Sequence, residues 1–123
     1  MRVSREIDRT NRVVVLAVSG TLDDDELLQL ANQLRSDSEV KPDYALLIDL
    51  REASGVAVTS LGVRALSAQP LVLAPTARRA VVVPSDLGFG MARMYEMLRD
   101  ERGGVVRAFR DLEEARRWVT RRD

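Results

Sequence analysis

The sequence predicts a single α/β domain over residues 1–123, with element order ββαβαβαβα and a mostly parallel sheet whose first strand is antiparallel. Three observations carry that expectation. Short apolar runs recur at 13–18, 44–50, 79–83 and 105–109, the pattern of strands buried on both faces. Segments of helical period lie between them, and strand–helix–strand alternation needs crossovers that set successive strands parallel. A chain of 123 residues also has the length of one domain.

Val3 to Ile7 alternates weakly, Asp8-Arg9-Thr10-Asn11 has turn chemistry, and Val13 to Val18 is nearly continuous apolar. This predicts a hairpin whose second strand ends at Ser19-Gly20. From Asp23 the period changes: Leu27, Leu30, Ala31 and Leu34 share a helix face, and Asp23 with Glu26 forms a capping-box pattern. Residues 36–43 are polar with Pro42 and predict a loop, and Tyr44 to Leu50 a buried strand. Ser60 to Ala68 reads as a short helix that turns Leu61, Arg64-Ala65 and Leu66 inward. Pro70 and Pro75 break the next stretch, so Leu71-Val72-Leu73 is expected in a loop packed on the body. A strand over 79–83 leads into a long helix from Ser85-Asp86 to about Glu101, with Leu87, Met91, Met94 and Leu98 as its inward stripe. Gly103-Gly104 turns the chain into the strand Val105 to Phe109. Asp111 and Glu114 read as a second capping box, for a last helix that buries Leu112, Ala115, Trp118 and Val119.

Composition narrows the function classes. Apolar residues make up 46% and charged residues 31%, the balance of a soluble globular protein. The charged N-terminus and the absence of a long apolar run argue against a secretory signal and membrane insertion, and a cytoplasmic location is expected. Cysteine and histidine are both absent, which removes disulfides, thiol chemistry and Ser–His or Cys–His nucleophiles. Nineteen basic residues balance nineteen acidic ones, whereas a nucleic-acid binder carries a basic excess. No nucleic-acid partner, cofactor or metal is therefore expected, nor catalysis.

Several constellations have a plain structural reading. Asp23-Asp24-Asp25-Glu26 lacks the alternating oxygens and turn glycine of a calcium loop, and acids in a first helical turn complement its dipole. Asp49, read at a strand end, lacks the topology and following lysine that would make it a phosphoacceptor. Ser85-Asp86-Leu87-Gly88-Phe89-Gly90 could present backbone N–H groups to an anion, but it lacks the Lys-Ser or Lys-Thr of a P-loop. A capping Ser85, with Gly88 and Gly90 permitting close packing, explains the same residues. Arg116, Arg117, Arg121 and Arg122 read as a solvated helix face. Leu71, Leu73, Phe89, Met91, Met94 and Met97 form a soft apolar set, read either as broad core or as a face for a partner, a small apolar molecule or a lipid.

The order of elements, with YALLIDL, VTSLGVRAL, ARRAVVVPSDLGFGMARMYEML and GGVVRAFRDLEEARRWV, resembles the STAS domain. It is most similar to the small stand-alone SpoIIAA-like (STAS/SEC14-type) proteins of bacteria. The resemblance implies a non-catalytic regulatory domain that binds a protein partner. Relatives that antagonise anti-sigma factors carry Asp-Ser-Ser/Thr-Gly at the helix after the central strand, and a kinase phosphorylates the first serine. With Gly62 on the motif glycine, Thr59 stands at the aspartate, Ser60 at the phosphoacceptor and Leu61 at the next position. Arg64, one turn on, would pair with a phosphate on Ser60. The alternative is that Thr59 or Ser60 simply caps the helix. The SEC14-type label implies the second reading, a binder of a small apolar ligand or lipid through the Met-rich helix over 86–101.

Overall fold

The computed structural model describes residues 1–70 and 72–121, and the side chains of these except 54–56 and 87. Its elements follow the predicted order: β1 (Arg2–Asp8), β2 (Val13–Asp23), α1 (Asp24–Arg35), β3 (Ala45–Ala57), α2 (Ser60–Ser67), β4 (Arg78–Val82), α3 (Asp86–Arg102), β5 (Val105–Phe109) and α4 (Leu112–Thr120). The sheet runs β1-β2-β3-β4-β5; β1 is antiparallel to β2, and the other neighbours are parallel.

Sequential strand order with right-handed crossovers puts α1, α2 and α3 on one face and leaves α4 to cover the other. The strand residues sort accordingly. Val14, Leu16, Leu46, Leu50 and Val83 join Leu30 and Leu34 of α1 and Ala92 of α3 in one core. Val13, Ala45, Leu47, Ala80, Val82 and Phe109 pack on Ala115 and Val119 of α4 in the second. Both cores come from strands with no polar face, which is why those strands read as continuous apolar runs. The strand order never reverses, so the fold lacks the topological switch point at which open α/β sheets form a ligand crevice.

Each helix begins on a side-chain cap at the carboxyl edge of the sheet. Asp23 and Glu26 make the full reciprocal box of α1, with Glu26 N donating to Asp23 Oδ1 at 2.8 Å. Thr59 caps α2, Ser85 caps α3 and Asp111 caps α4. The expected second box is half made: Glu114 N donates to Asp111, but no reciprocal bond from the Glu114 carboxylate completes it. Gly103 and Gly104 turn the chain after α3 at φ of 88° and 118°, a region glycine enters without a Cβ penalty.

Other expectations need correction. Ser19-Gly20 does not end β2. Gly20 sits at φ 83° between two register shifts, and the strand resumes to bury Leu22 and reach Asp23. Both shifts put the extra residue on β3, and Gly20 lies between them on the partner strand rather than at a stop. β3 likewise continues past Leu50 to Ala57, pairing Val56 with Leu22 and Ala57 with Asp23. Because β4 leaves β3 after Asp49, the β2–β3 ribbon projects beyond the rest of the sheet.

The helix faces differ as well. α2 buries Gly62, Val63 and Ser67, while Leu61, Arg64 and Ala65 face solvent. On α3 the most buried positions are Gly88, Ala92 and Arg99, with Met91, Met94 and Leu98 half-buried beside them; the Leu87 side chain lies outside the described residues. A Cβ at Gly88 would come 2.3 Å from Val83 Cγ1, so close packing does require that glycine, whereas Gly90 has open space. The stretch after α2 is the packed loop expected, with Leu73 buried and the Arg79 guanidinium donating to the Leu73, Ala74 and Ala77 carbonyls.

Candidate functional site

The projecting ribbon sets two helix starts side by side. Register pairing of Asp23 with Ala57 brings Asp24, first residue of α1, level with the residues that enter α2. Thr59 N donates to Asp24 Oδ1 at 2.8 Å and Thr59 Oγ1 donates to Asp24 Oδ2 at 2.6 Å. Thr59 Oγ1 in turn accepts from Gly62 N at 3.2 Å, closing the cap of α2. The Thr59 hydroxyl and amide hydrogens hold the Asp24 carboxyl below the usual carboxylate range. Gly62 completes the arrangement: a Cβ there would lie 2.0 Å from Asp24 Oδ1. Glycine at 62 thus leaves room for the end of the Asp24 side chain where Thr59 holds it.

Thr59 is thus the cap, and Ser60 is the exposed first helical residue. Leu61 beside it is 76% exposed, and Arg64 lies exposed one turn on. Thr59, Ser60, Leu61 and Arg64 form one accessible rim backed by Gly62 and Asp24. Sequence reasoning left Asp24 out, because its acid run was read as serving α1 alone. Asp24 puts a carboxylate against Thr59, one residue before Ser60.

Asp49 lies elsewhere. It is buried mid-strand and accepts from Arg51 N, Nε and Nη2 at 3.0 Å each. Burial alone would raise its carboxyl, but the Arg51 bonds and the Arg116 charge prevail and lower it. Ser85 Oγ accepts from Gly88 N at 3.1 Å and Asp86 pairs with Arg110 at 2.7 Å, so that helix start is capped and ion-paired.

The soft apolar set does not form one surface. Leu73 is buried under the loop, and Leu71 lies outside the described residues. Phe89 is half-buried with the Arg110 guanidinium 4.6 Å over its ring. Met91 faces an apolar cavity, Met94 is half-buried, and Met97 is 63% exposed beside Val105. Among Arg116, Arg117 and Arg121 all are exposed; Arg122 lies outside the described residues.

The profile of the SpoIIAA-like family matches residues 13–120. The chain belongs to that family. Two solved structures share the fold of this SpoIIAA-like chain. One is an uncharacterised protein with a SpoIIAA-like fold from Shewanella loihica, 18% identical, with 96% of this chain and 92% of that one covered at a TM-score of 0.60. The other is the anti-sigma factor antagonist SpoIIAA in its unphosphorylated form, also 18% identical, with 96% and 97% covered at 0.59. No curated protein is significantly similar to the chain. Among the described residues no helix is long and apolar enough to cross a membrane.

Proposed function

We propose that this SpoIIAA-like protein is a non-catalytic regulatory module that docks a protein partner on the start of α2, with Ser60 as a degenerate phosphoswitch. The observation that carries it is the division of labour there: Thr59 does the capping, which leaves Ser60 and Leu61 exposed beside it. The likeness to an anti-sigma factor antagonist supports a serine-kinase type of anti-sigma factor as the partner class. A phosphate on Ser60 would meet Arg64 but also the Asp24 carboxylate, so the added charge has both a partner and an opponent at one helix end.

The test is direct binding of purified serine-kinase anti-sigma factors from the host, measured by biolayer interferometry. Wild-type protein is expected to bind one of them, and Leu61→Asp and Ser60→Glu to abolish that binding with the fold intact. Binding by none, or equal binding by both variants, removes the proposal.

A second reading, a small apolar ligand, is favoured by a specific observation. Two adjacent cavities of about 90 Å³ each lie between the sheet and α1–α3, and Leu27, Leu30, Ile48, Leu66, Val81 and Tyr95 border both. Each alone is smaller than the apolar cavity of about 150 Å³ that holds benzene, so a ligand of that size or larger would occupy both.

A further inference from the structure

The first of these cavities contains two buried cations. Arg79 of β4 is 6% exposed and Arg99 of α3 is 4% exposed, and both line it together with Tyr95. No carboxylate lies among the described residues that line either cavity. Buried arginines are ordinarily paired with acids, because an uncompensated charge in apolar surroundings is costly. Here Arg79 donates to three loop carbonyls and Arg99 to the Ser67 and Gln69 carbonyls at the end of α2. These carbonyls take about half of the donor hydrogens, and the end of α2 contributes a partial negative charge. They do not neutralise two guanidinium groups, and Arg99 Nε has no hydrogen-bond partner. Burial pushes the Arg79 guanidinium below its ordinary value, with the Arg99 charge adding to it against Tyr95, and burial pushes the Tyr95 phenol up.

The surroundings specify what could complete the site. Leu16, Leu30, Leu46, Ile48 and Val81 make the rest of the wall apolar. At the rim, exposed Arg35 reaches Gln69 Oε1 and the Pro70 carbonyl at 3.4 Å each, long contacts that bridge α1 to the loop after α2. A third cation therefore stands at the entrance. The missing partner is an anion, and its approach leads into an apolar slot.

We propose that this slot binds a single-chain organic anion, its head group held between Arg79 and Arg99 and its alkyl chain lying among Leu30, Ile48, Leu66 and Val81. The inference rests on the apolar-ligand reading and adds the ligand's charge and the residues that read it. Guanidinium forks match the oxygens of carboxylate and phosphate alike, so the shared chemistry is an alkyl chain with an anionic oxygen head group.

Octanoate, octyl phosphate and octanol share one chain length and separate head group from tail. Each would be titrated into the intact protein by calorimetry, with backbone-amide NMR to locate the response. At least one anion is expected to bind about tenfold or more tightly than octanol, shifting amides at Arg79, Tyr95 and Arg99. The preferred anion then identifies the head group. Arg99→Met is expected to erase that preference while octanol binding persists. A variant that merely loses the α2 contact would weaken all three ligands alike and leave their ratio unchanged. If Arg99→Met does not fold, the wild-type ratio decides. Equal affinity for octanol and both anions overturns the anion site yet leaves the apolar reading standing; binding of none overturns both.

Discussion

The contact between α1 and α2 makes a quantitative demand on Gly62. A methyl group added there would sit 2.0 Å from Asp24 Oδ1 and 2.3 Å from its Cγ, far inside contact distance. Overpacking of this kind costs about 1–3 kcal/mol. Alanine in place of glycine within a helix returns about 1 kcal/mol. In the wild-type background Gly62→Ala should therefore be neutral to about 2 kcal/mol destabilising. In an Asp24→Ala background the obstructing carboxylate is gone, and the same change should stabilise by about 1 kcal/mol. The difference between backgrounds, about 1–3 kcal/mol, is the coupling. Urea denaturation of all four proteins followed by circular dichroism measures it, and the Thr59 amide resonance reports whether Asp24 has been displaced from Thr59. A coupling below about 0.5 kcal/mol, with the Thr59 amide unmoved by Gly62→Ala, would refute the steric argument.

Further outcomes follow from the same geometry. Thr59→Ala removes the α2 cap and should cost about 1 kcal/mol by urea denaturation. Thr59→Asp sets an acid against Asp24 without a hydroxyl to donate. It should be less stable than Thr59→Ser near neutral pH, with the gap narrowing below about pH 4 as a carboxyl protonates. Asp49 has a lowered carboxyl in the folded state, so its contribution is present above the unfolded value and lost as pH falls through the folded one. Asp49→Asn should therefore cost more stability near pH 7 than near pH 3, read from urea midpoints at both. Leu61→Asp should leave stability within about 0.5 kcal/mol, whereas Leu47→Ala, from a fully buried strand position, should cost about 2–5 kcal/mol by the same assay.

What was legible in the sequence is what is local. The Asp23–Glu26 box, the Ser85 cap and the glycine turn after α3 each depend on residues within four positions, and each lies where the pattern put it. Continuous apolar strands signalled a sheet covered on both faces. Phase was harder. On α3 the set Met91, Met94 and Leu98 has good helical spacing, but so has Gly88, Ala92, Tyr95 and Arg99, one residue round, and the latter faces the sheet. Hydrophobicity favoured the methionines, whereas close approach to Val83 favoured the glycine, and packing decided. The eight residues of α2 are too few for periodicity to orient them, which is how Leu61 was read as inward.

The site itself depends on non-local register. Asp24 and Thr59 are 35 residues apart, and their contact exists because β2 and β3 remain paired past the points where their apolar runs end. Gly20 looked like a terminator because glycine is a frequent strand stop, yet here its positive φ lies where β2 follows the extra residues of β3 and continues. Had β2 ended at Gly20, Asp23 would not pair with Ala57, and Asp24 would lack the register that places it at Thr59. Without Asp24, Thr59 Oγ1 would keep its acceptor role toward Gly62 but lose the acceptor for its own hydrogen. The register shifts beside Gly20, the capped start of α2 and the glycine at 62 are therefore parts of one arrangement, and it is this arrangement that leaves Ser60 and Leu61 exposed on the outside of a fixed helix end.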